Sequence, residues 1–343
     1  RLVGSEMCIR DSLLLGWYYF RKRPELNALA AQSENKLVIP VWQLFRDIII
    51  QAIPFIVIDT ATTVFNLLDQ ATFQPMMRLV YHLGTKQIDT LYAYFAFNAN
   101  KLVMIIVSLA SAIAVTVVPI LSESLASHNM RNIRKQLEDS IILFLFIMIP
   151  GALGMAAVAQ PLNTLFYSYD QIGTLILQIS AFTAIALGFF TVISALMQGL
   201  SRNRDIIRYY LIGLLVKIVI QLPCIYFLST AGPLVATAIG MMVASLMAMY
   251  DLEVNFGIRY VKLLPKINRI LVYSILTYVT ARLVVYGLNF VLNEHSKTQS
   301  FLIVALAVIA GGAVYVYLAL RSRMADLMIG TKAAGLRRKL RIK

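Results

Sequence analysis

Long apolar runs, broken by short polar and basic segments, dominate the chain from residue 13 onward. A bilayer span needs about 20 predominantly apolar residues. Eight runs reach that length: 46–69, 91–120, 139–160, 171–198, 206–228, 232–255, 267–291 and 299–321. None alternates with a period of two, as a barrel strand does, and lipid offers backbone amides no partner. Each run is therefore expected as a helix, giving an all-α polytopic membrane protein. The run 13–20 is too short to span and ends in Arg21-Lys22-Arg23; it reads as the end of a truncated transmembrane helix. Residues 1–12 carry no helical period and read as sequence foreign to the fold. Segment 21–45, with Pro24 and a polar Ser33–Lys36 stretch, reads as a cytoplasmic linker.

Composition agrees with a bilayer as solvent: 59% of the 343 residues are hydrophobic and 14% charged, against about 25% charged in ordinary soluble domains. The formal net charge of +14 raises nucleic acid as a partner, but the placement of the charges excludes it. Segments 21–46, 121–138, 199–208, 256–269 and 321–343 hold 23 Lys and Arg, while the alternating loops hold only Arg78, Lys86 and Lys297. That asymmetry is the positive-inside pattern, and it places the C-terminus in the cytoplasm. The basic tail 322–343 is a topology anchor at a phospholipid surface. Two cysteines, Cys8 and Cys224, build no disulfide framework, and no metal or cofactor motif and no catalytic signature is present.

Polar side chains recur inside the spans at helical spacing. In the first run Asp59, Thr62, Thr63, Asn66, Asp69 and Gln70 share a face, with Gln51 a further polar position upstream. Tyr94, Asn98, Lys101 and Ser108 do so in the second, Tyr210, Lys217, Gln221 and Cys224 in the fifth, and Ser274, Tyr278, Arg282 and Asn289 in the seventh. Thr183, Thr191, Ser194 and Gln198 form a milder stripe in the fourth. Uncharged members serve as helix–helix hydrogen bonds. Charges in hydrocarbon face a cavity or a partner. Two readings stand for Lys101 and Lys217: a cationic wall for an anionic ligand, or an ion pair with Asp59 or Asp69.

The segment Phe97-Asn98-Ala99-Asn100-Lys101-Leu102, continuing to Val118-Pro119-Ile120-Leu121-Ser122-Glu123, resembles the eighth helix of the MurJ-type flippases. These belong to the multidrug/oligosaccharidyl-lipid/polysaccharide exporter superfamily. Leu196-Met197-Gln198-Gly199, Gly213–Gln221 and Gly232–Thr237 resemble the end of the tenth helix and parts of the eleventh and twelfth. The similarity is to the YtgP and stage V sporulation protein B branch. It implies a MATE/MurJ-like bundle in which the eight spans match helices 7–14 of 14. Residues 46–255 then form the C-terminal six-helix lobe and 256–321 two additional helices. The resemblance implies a monomer that flips an undecaprenyl-diphosphate-linked saccharide, lipid II, across the plasma membrane by alternating access. A lipid-linked exopolysaccharide or capsule cargo and a MATE-like drug or cation antiporter are the alternatives. It also implies that Lys101, with Asn98 and Arg282, holds the diphosphate. Some members place a sodium ion between an acid of helix seven and polar residues of helices eleven and twelve; Asp69 and Thr237 match two of those positions. The third is Lys217, whose ammonium would replace the ion and form a conformational pair with Asp69 or Asp59.

Overall fold

The computed structural model describes residues 2–32, 40–292, 294–324 and 326. The chain divides into two compact units, residues 1–53 and 54–343. The first contains α1 (Leu2–Gln32) and most of α2 (Val41–Asp59). Residues 2–12, read from the sequence as non-periodic, lie within α1, which runs on through Pro24 into the segment expected as linker. Most of the basic tail, 325 and 327–343, lies outside the described residues.

The second unit is all helix and turn among its described residues. α3 (Ala61–Tyr81) follows α2 after Thr60, whose hydroxyl donates to the carbonyls of Ile56 and Val57. This back-bonding, a common cause of helix bending, divides the run expected as one span over 46–69. α3 buries Ala61, Phe65, Asp69, Phe73 and Met77, every fourth residue, so one narrow stripe faces inward. α4 (Thr85–Ala93), a π-helical turn over Tyr94–Ala99 and α5 (Asn100–Ala126) form one continuous helical stretch. α6 (Met130–Ala157) starts at Asn129, whose side chain accepts from the Asn132 amide. α7 (Ala159–Phe166) is short, and α8 (Gln171–Gly199) begins at the capping carboxylate of Asp170.

α8 is the hub, buried along most of its length between α5, α6 and α10. At its middle, Gly188 leaves room for Met148 and Phe144 of α6 and Ala110 of α5; a Cβ there would lie 2.7 Å from the Met148 methyl. α9 (Asn203–Leu228) and α10 (Gly232–Phe256) form an antiparallel hairpin through a 3₁₀ turn at Ser229–Ala231. The two cross where Gly213 meets Gly240: a Cβ on Gly240 would lie 2.6 Å from the Gly213 carbonyl oxygen. α11 (Leu264–Leu288) and α12 (Lys297–Arg321) pack on each other, α11 also on α6 and α12 on α7.

The polarity of the helices is inverted relative to a soluble protein. α9 turns Tyr210, Lys217 and Gln221 inward while Leu215, Val219 and Phe227 are 61–78% exposed. Water would penalise that surface and lipid would not. Six helical stretches among the described residues are long and apolar enough to cross a membrane, and one of them, Asn203–Phe256, holds both α9 and α10. The protein is thus a multi-pass, all-helical membrane protein; the count of eight spans stands as an expectation, since neither α2 nor α3 alone is among those stretches.

Candidate functional site

A cavity of about 450 Å³ opens in the second unit between α3, the π turn, α5, α8 and α10. That volume lies within the range of small-molecule sites. Its α3 wall is polar: Thr62, Thr63, Asn66, Asp69 and Gln70, the stripe visible in the sequence. The opposing walls are mixed, with Asn100 and Lys101 from α5, Phe95 and Phe97 from the π turn that precedes it, Tyr92 from α4, and Leu187 and Met241 behind.

Asp69 and Lys101 are the two charged residues of the lining, and they differ in state. Asp69 is buried and pairs with Lys217, which is fully buried: Nζ lies 2.8 Å from Oδ1. The same ammonium donates to the Phe65 carbonyl and to Thr237 Oγ1, each at 2.8 Å, and sits 4.7 Å from the centre of the Phe65 ring. All three ammonium protons therefore have oxygen acceptors. Gln221 Nε2 donates to Asp69 Oδ1 at 2.8 Å and to Thr72 Oγ1 at 3.1 Å. Thr237 Oγ1 in turn donates to Asp69 Oδ2 at 3.4 Å. The cluster ties α3 to both arms of the α9–α10 hairpin. A buried ion pair holds when each charge is also hydrogen-bonded, as here.

Lys101 has no ion-pair partner among the described residues and is exposed at the cavity. Of the other positions read from the sequence, Thr237 belongs to the Asp69–Lys217 cluster, and the side chain of Asp59 lies outside the described residues. Asn98 does not line the cavity; its carbonyl accepts from the Tyr167 hydroxyl at 3.2 Å. The residues of this stretch that reach the cavity, Phe97, Asn100, Lys101 and Met104, recur at ordinary helical spacing, and Asn98, within the π turn, lies to one side of that face. Phe97 and Asn100 face the cavity with Lys101 instead. Arg282 stands apart on α11, donating to the Ala157 carbonyl at 3.3 Å. It neighbours Glu294, whose carboxyl is pushed above the usual carboxylate range by burial, against the pull of Arg282 and His295. Gln221 and the Phe65 carbonyl complete the ion pair without having been picked out as site groups. Gln221 is legible as the residue one turn after Lys217, whereas a backbone acceptor leaves no mark in a side-chain pattern.

The MatE family model matches residues 62–222, which contain α3, Lys101, Lys217 and Gln221. The chain is 27% identical over 327 residues to the lipid II flippase MurJ of Bacillus subtilis (strain 168). That match takes in 94% of this chain and 60% of the relative, so the chain spans about three fifths of the length of the curated relative it matches. A solved structure of the lipid II flippase MurJ in an inward closed conformation superposes with a TM-score of 0.53. The chain is thus similar to the MatE family over residues 62–222 and to the lipid II flippase MurJ over most of its length. The MurJ superposition is 18% identical and covers 77% of this chain and 52% of that one. MATE in a bent conformation superposes with a TM-score of 0.52 at 18% identity, covering 84% and 68%. At that identity both speak for the fold alone. The homologues are transporters rather than enzymes.

Proposed function

We propose that this protein translocates an undecaprenyl-diphosphate-linked saccharide, with lipid II as the cargo, across the plasma membrane by alternating access. The observation that supports it is the charge of the cavity. Its carboxylate, Asp69, is neutralised by Lys217, and its remaining charge is the unpaired Lys101. An unpaired ammonium suits a diphosphate, which it holds as a point charge. An antiporter of cationic drugs needs the opposite, an unpaired carboxylate. The diphosphate binds at Lys101, while the isoprenoid chain stays in lipid along the apolar outer faces of α11 and α12. Asn98 and Arg282 lie away from the cavity, so Lys101 carries the diphosphate contact in this conformation.

Lys217 with Asp69 and Thr237 acts as the coupling element. Three oxygens at 2.8 Å hold the ammonium where a bound metal ion would otherwise sit, so the residues present do not fit a sodium ion at that point. Breaking or forming this pair as α3 moves against the hairpin biases the conformational equilibrium.

The test is expression in cells depleted of their own lipid II flippase, reading survival and outer-leaflet lipid II. Rescue is expected, and Lys101→Met at equal expression should lower outward lipid II at least tenfold, the loss of one charge-assisted contact. Wild-type rescue by Lys101→Met would overturn the assignment. Capsule export or dye efflux in place of rescue would assign the cavity to another glycan or to a cation.

A further inference from the structure

The α3 wall of the cavity holds unused hydrogen-bonding capacity. Asn66, Gln70 and Asn100 line it, and no hydrogen bond to a described residue engages any of their side chains. Thr62 and Thr63 behave likewise, although Thr72, Thr116, Thr191 and Thr277 elsewhere in the unit donate to the carbonyl one turn back. Each amide carries two donors and an acceptor. Polar groups at membrane depth are costly when unmatched. Five of them along about two turns of α3 and the start of α5 therefore mark a surface that meets a polar partner.

The chemistry of that partner follows from what the wall lacks. Beyond Lys101 it has no unpaired charge, so it does not match a second ionic group. Side-chain amides both donate to and accept from hydroxyls, and the aromatic rings of Tyr92, Phe95 and Phe97 give an apolar face beside them. Neutral amides with aromatic faces fit a polyhydroxylated ring, whose edge is all hydroxyl and whose faces are C–H. From Thr62 to Gln70 the wall is roughly 12 Å long at the α-helical rise, enough for more than one sugar ring.

We propose that Asn66, Gln70 and Asn100 bind the saccharide part of the cargo and set selectivity for the glycan, separately from the hold of Lys101 on the diphosphate. This inference rests on the lipid-linked saccharide reading above.

The experiment measures binding of two probes to the purified full chain in phosphatidylethanolamine–phosphatidylglycerol nanodiscs by native mass spectrometry. The probes are undecaprenyl diphosphate and undecaprenyl-diphosphoryl-N-acetylglucosamine, which differ by one sugar and by the ionisable oxygen that the sugar caps on the terminal phosphate. The wild type should prefer the glycosylated lipid by about tenfold, the worth of one or two net hydrogen bonds. A triple variant, Asn66→Leu, Gln70→Met and Asn100→Leu, should bring that ratio near one and leave undecaprenyl diphosphate binding unchanged. Each single variant, the fallback if the triple fails to fold, should lower the ratio part of the way. Lys101→Met should weaken both probes alike. No preference in the wild type, or an unchanged ratio in the variants, overturns the saccharide wall while leaving the diphosphate reading intact, provided Lys101→Met still weakens both. Failure of either probe to bind, or binding indifferent to Lys101, overturns the proposed function itself and this inference with it.

Discussion

Lys217 is fully buried and uses each of its protons on a different oxygen, so its removal does not simply delete a charge. Lys217→Met leaves the Asp69 carboxylate buried with no cation, an error that costs about 3–5 kcal/mol in comparable sites. Asp69→Asn leaves the ammonium in the same position. Replacing both, with Met and Asn, removes the two charges together and is expected to recover most of the loss. The measurement is thermal unfolding of the two single variants and the double in detergent; additive losses would show that the two residues do not act as a pair. The sequence told less about this pair than the structure does. Helical spacing puts Lys217 and Gln221 on the inner face of α9, and Asp59 and Asp69 on one stripe. Which acid meets the lysine depends on the relative height of α3 and α9, and that register is set by packing. Asp69 is the acid that meets it, and Gly240 lets α10 approach both Gly213 of α9 and Phe65 of α3 beside the pair.

At the scale of helices, that close approach carries its own prediction. A Cβ on Gly213 would fall on the Gly240 carbonyl oxygen, and one on Gly240 would also meet Lys217 Cβ at 3.1 Å. Both obstacles are backbone or packed side chain, with no flexible end to move aside. Gly213→Ala and Gly240→Ala are each expected to destabilise by about 1–3 kcal/mol, the usual cost of overpacking. Gly312 on α12 has open space where its Cβ would go, so Gly312→Ala should leave the melting temperature unchanged or raise it, because alanine favours a helix by about 1 kcal/mol. Equal melting temperatures for all three would refute the tight crossing. Spans α5, α6 and α8–α12 were legible as elements, because apolar length decides them, with ends within a few residues except at both ends of α5 and the start of α6. The cavity face of α5 was not, since Phe97 and Met104 are apolar and a stripe drawn through polar side chains passes to Asn98 and Ser108 instead. Thr60 escaped too, because a bend made by a hydroxyl costs no apolar residue.

The whole second unit sorts its loops into two sets, and contacts hold each set together. At one end Ser122 donates to the Gly199 carbonyl, Arg134 to the Phe256 carbonyl at 2.6 Å, and Arg202 pairs with Asp251 at 2.7 Å. These bonds join the α5–α6, α8–α9 and α10–α11 connections, the three basic loops of this unit. At the other end Tyr81 donates to the Tyr226 carbonyl, Tyr167 to the Asn98 carbonyl, and the Tyr169 and His295 rings meet at a tilt of 38° with centres 4.0 Å apart. These join the α3–α4 connection to α9–α10, and the α7–α8 connection to α11–α12 and to the π turn; few basic residues occur in these connections. A charge count made along the sequence and contacts made in space thus divide the chain the same way. By the positive-inside asymmetry the first set is expected on the cytoplasmic side. In a background with both native cysteines removed, Cys8→Ser and Cys224→Ser, a cysteine at Ser127, Ser201 or Arg259 should react with a membrane-impermeant maleimide only after permeabilisation. A cysteine at Gly84, Tyr169 or Ser296 should react in intact cells. Labelling in the reverse order would invert the orientation. Mixed labelling within one set would break the division itself, because three loops bonded together cannot stand on opposite sides of a bilayer.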